Sequence, residues 1–166
     1  MKQEEMKKNA QFLVDNLPGK ELPGSVRIRC RYKTLVDFAK VYGFTDPKYV
    51  EPEEDGVIAC KAFANHFTVK ALYKLILGMK LMQDGEERSF IKDPSKLLHA
   101  GNKYNWEDCV DIKNGDKLTI TGEWGDVWLV EKNMILFAKL LVTAENQNGE
   151  LVCKPTVTAA VRPGGY

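Results

Sequence analysis

The sequence predicts a single α+β domain in which an antiparallel sheet wraps around one long central helix. Two patterns lead to this prediction. One helical segment is apolar over most of its circumference, which indicates that other elements surround it. Most of the chain after that segment alternates apolar and polar residues between strong turn signals, which is typical of antiparallel strands. A curled sheet around the helix satisfies both patterns.

Length and composition fit such a domain. The chain has 166 residues, of which 44% are hydrophobic and 28% charged. Its net charge of +1 gives no field that favours nucleic acid or an anionic membrane. Lysines interrupt the most apolar stretch, no secretory signal pattern opens the chain, and the four cysteines form no CxxC pair. We therefore expect a cytoplasmic protein with reduced thiols and with no nucleic-acid or membrane partner.

The first 24 residues are expected to form a helical extension and a linker. A charged helix over roughly residues 3–17 ends at the first of two Pro-Gly pairs. The next segment, SVRIRCRYK, alternates apolar and basic residues, which predicts a half-buried strand. Its basic face has two interpretations: a solvated face that discourages edge pairing, or a cationic stripe that meets a phosphate-bearing ligand or an acidic partner. We favour the first, because charge runs usually mark solvated faces. The face consists of Arg27, Arg29, Arg31 and Lys33.

The residues VYGFTDPKY, 41–49, are predicted to be a helix end followed by an ordered loop. The helix is expected to start at Thr34, which makes a capping box with Asp37. Gly43 is expected to end the helix, and Asp46-Pro47 then holds the chain extended or turned. The loop carries one carboxylate and one phenol, that of Tyr49, but no histidine.

The central helix is predicted from about Asn65 to Met82, and about four strands are predicted after it. Asn114-Gly115 turns into LTITGEW, where Leu118, Ile120, Gly122 and Trp124 share one face. Residues 147–149, Gln-Asn-Gly, join the last two strands as a hairpin. The main domain predicted in this way covers residues 25–163, and residues 164–166 form a tail.

The order of four segments resembles a known family. These segments are VDFAKVYGFTDPKY, GVIACKAF, LLHAGNKYNWEDCVDIKNGDKLTITGEWGDV and LLVTAENQNGELVCKPTVTAAVRP. Together they are similar to MaoC-like (R)-specific enoyl-thioester hydratases of the hotdog fold. The similarity is greatest to the N-terminal, FAS1-like dehydratase half-domain, including the mycobacterial HadA-type subunit, and it covers roughly residues 25–163.

The resemblance implies an active-site loop that lacks its acid–base pair. In active members this loop resembles G-D-x-N-P-x-H, whose Asp and His activate the water that adds to an enoyl thioester. Aligned on Gly43 and Pro47, this chain has Phe44 in place of the Asp and Tyr49 in place of the His, with Asp46 in place of the Asn. Phenylalanine takes no proton, and an unperturbed tyrosine is a poor base at neutral pH.

The function implied by the resemblance is therefore shared between two chains. A hydratase unit of this family uses two hotdog folds, of which one carries the Asp and His and the other shapes the acyl tunnel. We expect a hydro-lyase subunit that is inactive alone, binds part of an acyl-CoA or acyl-carrier-protein substrate, and needs a catalytic MaoC-like partner but no cofactor or metal. The alternative is a homodimeric acyl-thioester-binding protein without turnover, or a weak thioesterase. The expected substrate-binding residues are Phe44, Tyr49, Cys60, Phe63 and His66.

Few other residues offer chemistry. His66 is the fallback base, with Asp46 as a carboxylate to orient it, although a structural histidine at a helix entrance is favoured. His99 is expected to be structural, and Cys60, which has no adjacent base, is expected to be a buried thiol. The predicted central helix contains no Asp or Glu, which weakens the thioesterase alternative. Three tryptophans are expected in the core rather than on a ligand platform: Trp106, Trp124 and Trp128.

Overall fold

The computed structural model describes residues 3–52 and 56–166, and it confirms the predicted α+β architecture. A five-stranded antiparallel sheet has the order β1-β5-β6-β7-β4 and curls around a helix. Its strands are β1 (Val26–Arg29), β4 (Leu97–Asn105), β5 (Lys117–Val130), β6 (Ile135–Glu145) and β7 (Leu151–Val161). A separate hairpin consists of β2 (Lys80–Gln83) and β3 (Glu86–Ser89). The helices are α1 (Gln3–Asn16), α2 (Tyr32–Val41), α3 (Pro47–Val50) and the central α4 (Ala64–Leu77), with 3-10 turns at Lys61–Phe63 and Pro94–Lys96.

The core lies between α4 and the inner face of the sheet. Phe67 and Ile76 of α4 are fully buried, and so is Leu118 of β5. Ile120 and Trp124 also point inward, as the alternation in LTITGEW predicted. The predicted hairpin between the last two strands is present as well, since β6 pairs with β7 across the turn at residues 146–150.

The central helix is shorter than predicted. It ends at Leu77 with Gly78 as its C-cap, and the next residues form β2 instead of a further helical turn. Asp84 and Gly85 both have positive φ, 54° and 85°, and make the tight turn of the β2–β3 hairpin. The prediction that the helix extends to Met82 was therefore wrong, and Met82 is 62% exposed instead of lining the core.

The start of α2 also differs from the prediction. The helix begins at Tyr32, and its N-cap, Arg31, makes no side-chain capping bond. The N–H of Tyr32 donates instead to Oδ1 of Asn114, at 2.7 Å, so a distant loop satisfies this helix end. The prediction of a capping box at Thr34 was therefore wrong. Strand β1 ends at Arg29, since the chain enters α2 soon afterwards.

The first helix is an integral part of the core. Ala10, Leu13 and the following Leu17 are fully buried in the same apolar cluster as α4 and the sheet. The linker after α1 is bound to β5, since Gly19 N donates to the Trp124 carbonyl at 2.7 Å and Leu22 N donates to the Gly122 carbonyl at 2.8 Å.

The expectations about cysteines and about membrane-spanning helices can be compared with the structure. All four cysteines are unpaired, and three of them are buried. Within residues 3–52 and 56–166, no helix is long and apolar enough to cross a membrane. The acidic residues 53–55 lie outside the described residues.

Candidate functional site

The loop after α2 is ordered by its own carboxylate. Gly43 has a φ of +75°, and the N–H of Phe44 donates to the Ala39 carbonyl at 3.0 Å, which closes the end of α2. Asp46 is the N-cap of α3 and accepts from the N–H of Lys48 at 3.1 Å, while the Lys48 Nζ lies 3.4 Å from its other oxygen. Asp46 therefore serves to start a short helix, where the sequence predicted only an extended or turned chain.

Phe44 and Tyr49 are in contact with each other. Their rings pack edge to face with centroids 5.3 Å apart, and both side chains are partly buried against the core. The Nζ of Lys48 lies 4.9 Å from the centroid of the Tyr49 ring. The two positions that the resemblance assigns to an acid–base pair thus hold an aromatic pair.

A second aromatic cluster lies where α4 begins. The rings of Phe63 and His66 stack with centroids 5.2 Å apart and an interplanar angle of 18°. Phe38 of α2 contacts both rings edge to face, at 5.5 Å from Phe63 and 5.9 Å from His66. Burial, and secondly the charge of Lys70, lowers the pKa of His66 below its ordinary value of 6.5. The imidazole is therefore uncharged at neutral pH.

Cys60 lies just before this cluster and is only 1% exposed. Its carbonyl accepts the N–H of Phe63 at 2.9 Å, and burial raises the pKa of its thiol. A protonated, buried thiol is a poor nucleophile, so Cys60 has the structural character that was expected.

The structure brings the candidate residues together in two pairs, not in one. Phe44 contacts Tyr49, and Phe63 contacts His66, while α2 packs against both α3 and the 3-10 turn and so supports both pairs. In the part of the chain that the structure describes, no hydrogen bond or ion pair joins Asp46 to His66. The fallback acid–base pair is therefore not assembled in this conformation.

The sequence analysis missed a polar network beside this cluster. Asn102 Nδ2 donates to Asn65 Oδ1 at 2.9 Å and to the Tyr104 hydroxyl at 2.7 Å, and that hydroxyl donates to Asn65 Oδ1. Nε2 of His99 lies 2.8 Å from Asn102 Oδ1, which fits the structural role expected for His99. Burial raises the pKa of Tyr104. The spacing of Asn102 and Tyr104 places them on one face of β4, but only the folded chain brings Asn65 to them.

An apolar surface continues from the aromatic cluster into solvent. Tyr42 stacks on Phe38 with centroids 4.9 Å apart and is 53% exposed, and its neighbour Val41 is 82% exposed. Adjacent exposed apolar side chains of this kind are typical of surfaces that another molecule covers.

The tryptophans have different environments. Trp124 is 1% exposed and lies in the core, and Trp106 is partly buried and stacks on Tyr104. Trp128 is 37% exposed and stacks on Phe137, at a centroid distance of 5.3 Å, on the outer face of the sheet. The expectation of a core position was therefore wrong for Trp128.

The family is established by comparison with known sequences. The family described as the FAS1-like dehydratase domain region matches residues 16–155. The chain belongs to this family. No curated protein sequence matches the chain.

Solved structures that are similar to this chain show the same fold. The MaoC-like dehydratase from Rhodospirillum rubrum is 17% identical with a TM-score of 0.63, and the match covers 89% of this chain and 94% of that chain. The C-terminally truncated HadBC (3R-hydroxyacyl-ACP dehydratase) complex from Mycobacterium tuberculosis is 13% identical with a TM-score of 0.64, covering 87% and 97%. The ChsH1–ChsH2 complex from the same organism is 12% identical with a TM-score of 0.60, covering 89% and 99%. The predicted hotdog fold is thus confirmed, and the match to the family model confirms the predicted FAS1-like dehydratase family.

Proposed function

We propose that this member of the FAS1-like dehydratase family is the substrate-binding, non-catalytic subunit of a heteromeric (R)-specific enoyl-thioester hydratase. The observation on which the proposal rests is the set of side chains in loop 41–49. Adding water across an enoyl thioester requires groups that accept and deliver protons. The loop presents Phe44 against Tyr49, and its carboxylate, Asp46, is already bound to Lys48. A MaoC-like partner then supplies the Asp and His.

The role left to this chain is to bind the acyl group. The partly exposed rings of Phe38 and the uncharged His66, which pack on the buried Phe63, form an aromatic wall at the start of α4. Each methylene group of an acyl tail buried on such a wall contributes about 0.8 kcal/mol. A neutral imidazole also costs far less to desolvate than a charged one. Phe44, Tyr49 and Cys60 complete the proposed substrate-binding set.

Two features support a second hotdog subunit beside this one. Strand β4 pairs with β7 along one side, and within the described residues its other side pairs with no strand. Proteins usually cover an unpaired edge of this length. The exposed Val41 and Tyr42 would be buried by the same partner. Two of the similar structures, HadBC and ChsH1–ChsH2, are named as complexes of two chains, which also favours a heteromeric unit.

The second candidate is a homodimeric acyl-thioester-binding protein without turnover. The unpaired edge of β4 supports it too, because two copies of one chain can pair through such an edge. A thioesterase has less support, since α4 carries no carboxylate.

The test is the hydration of trans-2-octenoyl-CoA by the purified chain, alone and together with the catalytic subunit copurified from the native cells. We expect no turnover by the chain alone and more turnover by the complex than by the catalytic subunit alone. His66→Ala is the informative variant, and His99→Ala is its matched control. Robust activity of the chain alone that is lost in His66→Ala but kept in His99→Ala would overturn the proposal and identify His66 as the base. If the chain binds octenoyl-CoA but neither preparation turns it over, the homodimeric binding protein is the better description.

A further inference from the structure

The edge of the sheet opposite β4 carries an exposed row of positive charge, which we name the basic row. Arg27 and Arg29 alternate with inward-pointing Val26 and Ile28 on β1 and are exposed. Arg31 has extended backbone angles, φ −117° and ψ 138°, so its position continues this alternation past the end of the strand. The row consists of Arg27, Arg29, Arg31, Lys33 and Lys117, all of them exposed.

The row includes a cross-strand pair of like charges. Lys117 of β5 stands directly opposite Arg29 in the antiparallel register, so both side chains lie on the same face of the sheet. Like charges at such a pair destabilise a sheet. One or two charges are enough to discourage edge pairing, whereas this row holds five.

Within residues 3–52 and 56–166, no ion pair neutralises the basic row. Among the residues that the structure describes, the basic partners of the ion pairs are lysines 7, 8, 48, 80 and 139, none of which belongs to the row. The nearby Asp116 is buried and accepts from Lys113 N at 2.7 Å and from Gln147 Nε2 at 3.0 Å. Five charges that have no ion-pair partner among the described residues are prominent on one edge of a chain whose net charge is only +1.

The shape of the row fits a macromolecular surface better than a small anion. From Arg27 to Arg31 it extends about 13 Å along the strand direction, and Lys33 continues it onto α2. The groove beside it is open and is lined by Tyr32, Asn114 and Gly115 as well as by the basic side chains. Small-molecule sites are concave, with converging polar groups, which this row does not provide. Stacking of nucleobases has no platform here, because Tyr32 is half buried and donates its hydroxyl to the Glu51 carbonyl at 2.7 Å.

We propose that the basic row is the docking surface for the acidic face of a protein that carries the acyl thioester, that is, an acyl-carrier protein. This inference rests on the proposed function, because it presumes that the chain receives an acyl thioester. Exposed charges of this kind act mainly by steering encounter, so the row accelerates association with the carrier and does so less at high salt.

The test measures carrier binding directly, without turnover. The probe is a fluorescently labelled, phosphopantetheinylated acyl-carrier protein of strongly negative net charge, added to the full chain at about 0.05 M and about 0.3 M salt. The variant is Arg27→Gln/Arg29→Gln. The matched control is Lys20→Gln/Lys132→Gln, which removes two exposed positive charges outside the row. At low salt we expect the association rate to fall about tenfold in the variant and to stay within about twofold in the control. At high salt the difference should nearly vanish.

Three results would overturn the inference. One is equal carrier binding by the variant, the control and the wild type, which would leave the row as a solvated face. Another is an equal loss of affinity for octenoyl-CoA and for the carrier, which would assign the row to phosphate groups that both share. The last is competition by single-stranded DNA as effective as that by unlabelled carrier, which would mean unspecific polyanion binding. A wild-type complex that hydrates neither thioester would instead contradict the proposed function, and the binding assay would still decide the role of the row.

Discussion

The hydroxyl of Tyr104 donates a hydrogen bond to Oδ1 of Asn65, and this bond joins the edge strand β4 to the first turn of the central helix. Asn102 Nδ2 donates to both groups, so the three side chains fix one another's orientation. The network therefore ties β4 to the start of α4 through polar contacts whose members are all partly buried.

Replacing Tyr104 by Phe should lower the free energy of unfolding by about 1–3 kcal/mol, because the amides of Asn65 and Asn102 each lose a partner in a half-buried place. Urea denaturation followed by circular dichroism measures this change. Tyr32→Phe is the matched control, since it removes a hydroxyl that bonds to the Glu51 carbonyl at an exposed position. An equal loss of unfolding free energy in both variants would show that the network stabilises the fold no more than the exposed hydrogen bond of Tyr32 does.

Shortening Leu13 to Ala should cost about 2–5 kcal/mol of unfolding free energy, because Leu13 is fully buried and the substitution leaves a cavity. The same substitution at Leu141, which is 40% exposed, should cost much less. Thermal unfolding of both variants gives the comparison. A Leu13→Ala variant as stable as Leu141→Ala would mean that α1 is dispensable for the core.

The stability of the protein should fall with pH below about 6.5 because of His66. Burial lowers the pKa of His66 in the folded state, so the unfolded chain takes up a proton that the folded chain resists. The destabilisation begins as the pH falls through 6.5 and is complete below the folded-state pKa. Above pH 6.5, the imidazole is uncharged in both states, so His66 causes no pH-dependent loss of stability. Unfolding free energies at about pH 7.5 and pH 5.5 should differ less in His66→Asn than in the wild type. His99→Asn should keep the wild-type difference, and the reverse pattern would assign the effect to the other histidine.

Thiol labelling should modify Cys109 first. Cys109 is half buried, whereas Cys30, Cys60 and Cys153 are at most 1% exposed. Burial also raises the pKa of Cys30 and of Cys153 to about 12, and thiols react as thiolates. Mass spectrometry after a short exposure to iodoacetamide should therefore find one dominant adduct, which Cys109→Ser removes. Fast labelling of Cys60 would contradict the buried environment seen here.

Tyr49→Phe should leave the activity of the proposed hydratase complex within about twofold of the wild type, since the proposed acid–base pair belongs to the partner subunit. The substitution keeps the edge-to-face contact with Phe44 and removes only the hydroxyl. Tyr49→Ala, which removes the ring, should raise KM for octenoyl-CoA. A large loss of kcat in Tyr49→Phe would show that the hydroxyl takes part in the reaction.

The sequence was sufficient for features that depend on local patterns. Alternation correctly assigned Leu118, Ile120 and Trp124 to the core, and the pairing of β6 with β7 confirmed the hairpin at residues 147–149. It failed where distant contacts decide: Asn114 holds the start of α2, although Thr34 and Asp37 had the spacing of a local cap. Gly78 and the Asp84-Gly85 pair are sequence signals for a helix end and a turn. The continuous apolar run around them led instead to the prediction of one longer helix.

The candidate site was predictable in its parts but not in its arrangement. The resemblance implies that Phe44 and Tyr49 replace an acid–base pair, and this stays a prediction. The capping role of Asp46 and the stacking of Phe63 on His66 needed coordinates, because each depends on how neighbouring turns are oriented. The bond between Asn65 and Tyr104 joins residues far apart in sequence, which no periodicity reveals.

The pairing of β1 with β5 also determines when this chain can fold. Val26 lies opposite Ile120, so most of the polypeptide separates two strands that must meet. Closing such a long loop is entropically costly and slow. During synthesis, α1, β1 and α4 leave the ribosome before any of β5 exists, with Leu13 and Phe67 still without the surfaces that bury them. The first half of the nascent chain therefore exposes apolar surface that is prone to aggregate, and the core is complete only after the later strands emerge.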